Sequence, residues 1–366
     1  MIPSLARIGR SRCSQRHSPA YLLSAIFLPA CLAIPPTERL SRLSIRHWGA
    51  ESGIPEETFA SILATGDGYV WLASNDGLVR FDGQRATVFR LGEAFRAHGT
   101  GSCSSSALSR LLLGSDGEIW IGAMSGCIFR IVPDRFGSFA NFLVEGIEAP
   151  TIEREPNIIR YLSNLPNGRG LEVTRESKFS WLPFGPKPPS KANWGANLVA
   201  RVSNETVAIL PPQGLRILFG ARDAQSKLWA ILSDNKLYSV EVGAWRPRFH
   251  IPSSLGSFLL DKHGNSWIGT ANGLYGWLNG EVKHWGIAEG LKAGTIETLR
   301  EDRSGCLWMG MRQSLGRLCE DRLDVIPLRI HDEEVITAIE EDLEGNIWAG
   351  GHAGSLYQLS PRIFQI

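Results

Sequence analysis

Net charge is nearly absent from this chain: 38 basic residues stand against 37 acidic ones, a formal charge of +1. Such a balance gives no electrostatic footprint for a nucleic-acid backbone, so no nucleic-acid partner is expected. None of the six cysteines forms a Cys-x-x-Cys pair, which removes the support for a zinc or thioredoxin-type site. The strings Gly-x-Ser-x-Gly, His-Glu-x-x-His and Gly-x-x-x-x-Gly-Lys are missing too, and with them the common hydrolase, metalloprotease and nucleotide-loop chemistries. No catalytic residue, metal or cofactor is therefore assigned. Past the N-terminal leader no apolar run reaches the length of a membrane span.

What the chain does contain is a phrase that returns seven times. Its clearest copy is Asp67-Gly68-Tyr69-Val70-Trp71-Leu72-Ala73, followed by Asn75-Asp76-Gly77-Leu78. Turn residues precede a strand with a tryptophan inside it, and a second turn and strand follow. The tryptophans fall at Trp71, Trp120, Trp229, Trp267, Trp308 and Trp348, and Leu171 stands in the tryptophan position of a degenerate copy, Asn167 to Leu171. A period of about 40 to 50 residues made of short strands is the signature of a propeller blade. The expected fold is all-β: a seven-bladed β-propeller of four-stranded antiparallel blades. With 43% hydrophobic residues and twelve tryptophans in 366 residues, the chain can bury a large core.

Each residue type in the phrase has a physical role. The glycine three before the tryptophan (Gly68, Gly117, Gly264, Gly305, Gly345) supplies positive φ in a tight turn, and an aspartate four or six before it hydrogen-bonds that turn. A small residue two after it (Ala73, Gly122, Gly269, Gly310, Gly350) leaves room for the neighbouring sheet. Gly77, Gly126, Gly273 and Gly354 turn the next hairpin, with Asn235 replacing glycine in the fourth copy. Asp261 to Asn265 and Asp342 to Asn346 loosely resemble calcium loops, but they recur at this structural turn and are read as turns.

Residues 1–33 hold Arg7, Arg10, Arg12 and Arg16, no acid, and an apolar run from Tyr21 to Ala33. A basic head before a run too short to span a bilayer reads as a secretory signal peptide. Cleavage could follow Ala33. Alternatively, Leu28-Pro29-Ala30-Cys31 resembles a lipobox with Cys31 lipidated, although the proline fits it poorly. Residues 34–41 read as a linker and 42–366 as the propeller. The expected location is extracytoplasmic: periplasmic, or membrane-attached and facing the periplasm. Cys306 and Cys319 fall on adjacent strands across the hairpin at Arg312-Gln313, and an oxidising compartment would permit a bridge between them, less securely one between Cys103 and Cys127. Four buried free thiols are the other reading.

Ser44 to Ile54 is similar to Lys283 to Leu291, and each His-Trp pair precedes a blade tryptophan by the same distance, 47 to 71 and 284 to 308. In the later copy this segment is the outer strand that ends a blade. Residues 44–48 are thus an outer strand with no blade before them, and the economical inference is that they complete the last blade and close the ring. The terminal stretch Arg362 to Ile366 competes for that position. Two long irregular connections, about 132–157 and 174–222, complete the layout; the second carries Trp181, Trp194 and a Pro-Lys-rich stretch suited to a sugar ring, a peptide or an anionic group.

Glu51-Ser52-Gly53-Ile54-Pro55 together with Asp67 to Gly83 resembles the two-component regulator propeller repeat of bacterial periplasmic sensor domains, and the resemblance runs over about 42–360. It implies an extracytoplasmic ligand sensor of histidine kinases, hybrid kinases or diguanylate cyclases. The ligand would be a small molecule or oligosaccharide, and the partner a membrane signalling protein or a second copy. The transmembrane helix and output domain usual in that family are not found here. The repeat is also similar to that of streptogramin-type lyases, so a propeller enzyme stays open, as does a stand-alone protein-interaction propeller. The turns after the tryptophan strands should share one face with the connections between blades. On that face lie Asn75, Asp76, Met124, Asn272, Arg312 and His352, and with Trp181 and Trp194 the last two are the leading ligand-binding candidates.

Overall fold

A computed structural model describes residues 33–90, 107–114, 117–124, 127–133, 209–241, 244–328 and 334–361, and the strand backbone alone at 143–147, 159–164, 170–175, 179–183 and 206–208. Among these residues the strands form seven four-stranded antiparallel sheets. Sheet one is Phe59–Ala64, Val70–Ser74, Leu78–Phe81 and Ala86–Phe89, in that order from strand to strand. The strands of sheets two to five fall within 108–147, 159–209, 217–250 and 255–285. Sheet six is Thr298–Glu301, Leu307–Met311, Ser314–Cys319 and Arg322–Pro327. Sheet seven is Ile336–Glu341, Ile347–Gly351 and Leu356–Ser360, and its fourth member is Ser44–Trp48, with Ser44 opposite Ser360 and Trp48 opposite Leu356. Residues 362–366 lie outside the described residues. No helix among the described residues is long and apolar enough to cross a membrane.

The first strand of each sheet touches the first strand of the next, from sheet one through sheet seven, and the last of these returns to Phe59–Ala64. Between neighbouring sheets the apolar residues interlock. Trp71 packs with Leu108 and Ile119, Trp308 with Ile336 and Ile339, and Trp348 with Phe59 and Ile62. Each indole removes roughly 150–250 Å² from water, so in these three seams one large flat side chain fills much of the wedge between sheets.

In sheets four to seven the turn is locked to its tryptophan by one aspartate. Asp302 Oδ1 accepts from Cys306 N at 2.9 Å, and its Oδ2 from Trp308 Nε1 at 2.8 Å. Asp342 holds Asn346 N and Trp348 Nε1 in the same way at 2.8 and 2.7 Å, as do Asp223 with Trp229 and Asp261 with Trp267, both at 2.9 Å. In sheet one Thr65 occupies that position, accepting from Trp71 Nε1 and donating to Asp67. Both carboxylate oxygens of Asp261 and Asp342 thus face N–H donors of the turn and the indole.

Residues 34–41 are not a linker. Ile34, Leu40 and Leu43 are each 2% exposed and join the core between sheets six and seven. Their apolar side chains and the short 3-10 turn Leu40–Arg42 fold the segment into that core. The connections expected to be irregular also contain strands: Leu143–Ile147, Phe179–Pro183 and Thr206–Ile209 complete sheets two and three.

Cys306 and Cys319 are joined by a disulfide with their Cα atoms 4.5 Å apart, a consequence of Leu307 pairing with Leu318 in the hairpin. Cys127 is disulfide-bonded as well, and Cys103 lies outside the described residues. The Cys306–Cys319 bridge closes a loop of 13 residues in sequence separation, which is worth about 3 kcal/mol in the unfolded-chain account. The double variant Cys306→Ala/Cys319→Ala is expected to lose about 2–3 kcal/mol in urea unfolding, whereas unchanged stability would show the bridge unformed in solution.

Between the first strands of sheets six and seven, Arg300 reaches Glu340 at 2.5 Å. Burial pushes Glu340 up to about 7, with Arg300 pulling the other way and Glu341 beside it adding to the rise. Glu341 is raised as well, mainly by burial and against its contacts with Arg303. A carboxyl raised in the folded state contributes stability below its unfolded value near 4.5 and loses it as pH climbs through about 7. The denaturation midpoint should therefore fall between about pH 5 and pH 8, and Glu340→Gln should flatten that slope; equal slopes for the two proteins would refute the assignment.

Candidate functional site

The turns that follow the tryptophan strands sit against the segments leading into the first strands. Met124 N donates to Ala107 O, Ala271 N to Ser254 O, Gln313 N to Glu334 O and His352 N to Val335 O. Among the described residues, the second turns of sheets two, five, six and seven are therefore each tied to a connection that leads into a first strand.

Three of the candidates are joined in one continuous arc. In sheet one, Asp76 N donates to Glu57 Oε2 at 2.9 Å, and Arg90 Nε and Nη2 reach Asp76 Oδ2 at 3.1 and 2.9 Å. The next residue, Thr58, shares a 2.8 Å hydrogen bond between its hydroxyl and His352 Nδ1 of sheet seven. Glu57 also accepts through its carbonyl from Gly354 N at 3.1 Å, so its side chain grips sheet one while its backbone grips sheet seven. His352 N in turn holds Val335 O, and Val335 forms an isolated bridge with Arg312 of sheet six. Asp76, His352 and Arg312 thus mark sheets one, seven and six along one contact path.

Local backbone chemistry sets these positions. Gln313 adopts φ 53°, left-handed geometry that non-glycine residues seldom take, and this tight turn presents Arg312, which is exposed. His352 is exposed and stands two before Gly354, whose φ is 70°. A Cβ on Gly354 would meet Pro55 O at 2.3 Å, so glycine there allows sheets one and seven to approach. The Asp76–Arg90 pair is 40% and 56% exposed at its side chains, and such a pair stabilises little by itself. The arc presents a carboxylate, a hydroxyl, an imidazole and guanidinium groups, a set suited to a polyhydroxylated molecule or to a carboxylate gripped by two guanidinium donors.

The remaining ligand-binding candidates are Asn75, Asn272, Trp181 and Trp194. Asn75 is exposed beside Asp76. Asn272 lies in the second turn of sheet five, its N–H on Thr270 Oγ1 and its carbonyl accepting from His284 Nε2 at 3.1 Å. Trp181, expected in a loop, is instead a strand residue paired with Glu172 and Thr206, because Phe179–Pro183 finds antiparallel partners on both sides. Trp194 lies outside the described residues. Sequence reasoning missed Glu57 and Thr58. Their only signal was position: they directly precede the first strand of sheet one.

No protein-family model matches the chain, and no protein of curated function does. Solved structures do. The extracellular domain of the hybrid two-component system protein BT3049 from B. thetaiotaomicron is 17% identical with a TM-score of 0.66, over 87% of this chain and 42% of that one. Virginiamycin B lyase from Staphylococcus aureus, solved with quinupristin, is 15% identical with a TM-score of 0.62, over 87% of this chain and 99% of the lyase. YCF48 from Cyanidioschyzon merolae is 13% identical with a TM-score of 0.61, over 87% of this chain and all of that protein. The chain spans less than half of the sensor protein it matches and nearly the whole of the lyase. At these identities the likeness establishes the fold, an all-β propeller of four-stranded antiparallel sheets.

Proposed function

We propose that this chain is an exported, periplasm-facing sensor module. In this reading seven four-stranded blades form a ring closed by Ser44–Trp48, and the rim where blades one, seven and six meet holds a small molecule or oligosaccharide. Occupancy is passed to a membrane signalling partner or to a second copy. The cycle of contacts between first strands and the pairing of Ser44–Trp48 with Leu356–Ser360 support closure. The leader of basic and apolar residues and the likeness to extracellular domains of two-component system proteins support export and sensing.

The observation that carries the function is the arc Asp76–Glu57–Thr58–His352–Val335–Arg312, which places exposed hydrogen-bonding groups of three blades side by side. A thermal-shift screen with an oligosaccharide panel tests it. A stabilising ligand should bind His352→Ala and Arg312→Ala at least about tenfold more weakly, or roughly 1.4 kcal/mol. The ligand-free stability of both variants should stay within about 0.5 kcal/mol of the parent. Unchanged binding in both would refute the rim as the site.

A second reading, a propeller lyase, draws on the match to almost the full length of virginiamycin B lyase. Consumption of quinupristin by this chain, abolished in His352→Ala, would replace sensing with turnover.

A further inference from the structure

The segment Ile34–Glu38 lies in a cradle on sheet six that engages five successive carbonyls. Arg317 donates from Nη2 to Ile34 O at 2.8 Å and from Nη1 to Pro35 O at 3.0 Å, and Ser304 Oγ also reaches Ile34 O at 3.3 Å. Arg322 donates from Nη2 to Pro36 O at 2.7 Å and Glu38 O at 3.1 Å, and from Nη1 to Thr37 O at 3.2 Å. The Ile34 side chain is buried among Trp308, Leu315 and Leu328, while Ala33, one residue earlier, is only half-buried. Pro35 and Pro36 have no N–H to satisfy, so a cradle of donors meets this segment's needs almost completely.

We infer that the bond between Ala33 and Ile34 is a maturation cleavage site for a leader peptidase, and that the end it frees is the part that seats in this cradle and seals sheets six and seven. The inference rests on the export reading above. Water adds across the peptide bond: Ala33 leaves with the leader as a carboxylate, and Ile34 becomes the new amino terminus. Small residues stand one and three before the bond, Ala33 and Cys31, the pattern such peptidases accept. A peptidase must hold the chain extended on both sides of the bond it cuts. From Ile34 onward the carbonyls are already taken by Arg317, Ser304 and Arg322. Cleavage therefore precedes seating, and seating then protects the new end. Lipidation at Cys31 would instead leave only Leu32 and Ala33 before the buried Ile34, a reach of about 10 Å, and would pin this seam to the bilayer.

Intact-mass measurement on the full gene product expressed with its own leader decides the first half. Export with Ile34 as the first residue is expected. Protein that keeps Met1 and stays in the cytoplasm would overturn the export reading, whereas exported protein beginning at Cys31 with a lipid, or at any residue other than Ile34, would overturn this inference and leave export standing. Trypsin decides the second half. The bonds after Arg39 and Arg42, exposed residues that each precede a buried leucine, Leu40 and Leu43, should be cut at least about tenfold more slowly in the processed protein than in Arg322→Ala, which removes an exposed clamp. Equal cutting rates would refute seating.

Discussion

Arg317→Ala is expected to cost about 3–5 kcal/mol in urea unfolding, the range for a buried charge stripped of its partner. Arg317 is 1% exposed. Its guanidinium lies 3.3 Å from the Asp302 carboxylate and over the Trp308 ring at 5.1 Å, and it donates to the Ile34 and Pro35 carbonyls. Burial works against its charge and Asp302 beside it works for that charge. Alanine would leave the buried Asp302 carboxylate beside a void and take one donor from each of the Ile34 and Pro35 carbonyls, so the loss is larger than that of the attraction alone. Arg317→Lys should recover only part, because one ammonium cannot span both carbonyls and the carboxylate. A loss below about 0.5 kcal/mol for the alanine variant would show that the N-terminal segment is not held as described.

The second large effect is a contrast between two glycines at equivalent places in the repeat. A Cβ on Gly310 would meet Thr298 Cγ2 at 2.5 Å and the backbone oxygen of Ile336 at 2.6 Å. A Cβ on Gly350 would meet nothing nearer than the end of the Ile62 side chain at 3.0 Å. Backbone cannot step aside as a side-chain tip can. Gly310→Ala should therefore cost about 2–3 kcal/mol through forced displacement of sheet seven, while Gly350→Ala should stay within about 1 kcal/mol, offset by the lower freedom of its unfolded chain. Equal costs at the two positions would mean that sheets six and seven do not approach as closely as Ile336 and Gly310 require.

How much of this was legible in the sequence follows from the range of the interactions. The hairpins were readable because their determinants lie within six residues of each tryptophan: Asn235 takes φ 57° as expected of asparagine in a glycine position. Ser226 takes φ 64° three before Trp229, and nothing in serine announces that. The indole end of each aspartate clasp was also missed, since a turn-forming aspartate needs no indole to explain it. In sheet three the degenerate copy marked only the strand around Leu171, while Phe179–Pro183 and Thr206–Ile209 fell in what read as an irregular connection. The burial of 34–41 was not legible because the arginines that bind it lie roughly 280 residues away. The rim was legible in part. Asp76, Arg312 and His352 were found by their turns, whereas Thr58, 294 residues from His352 in sequence, could be joined to it only once the two ends of the chain were seen together.

The pairing of Ser44–Trp48 with Leu356–Ser360 is the basis of the proposed ring closure, and amide hydrogen exchange on Ser44–Trp48 tests it most directly. The account predicts that the amides of this strand bonded to Leu356–Ser360 exchange as slowly as those of the other outer strands, such as Glu281–Trp285. Exchange of 44–48 at the rate of an unstructured chain, in a protein whose remaining sheets stay protected, would contradict it.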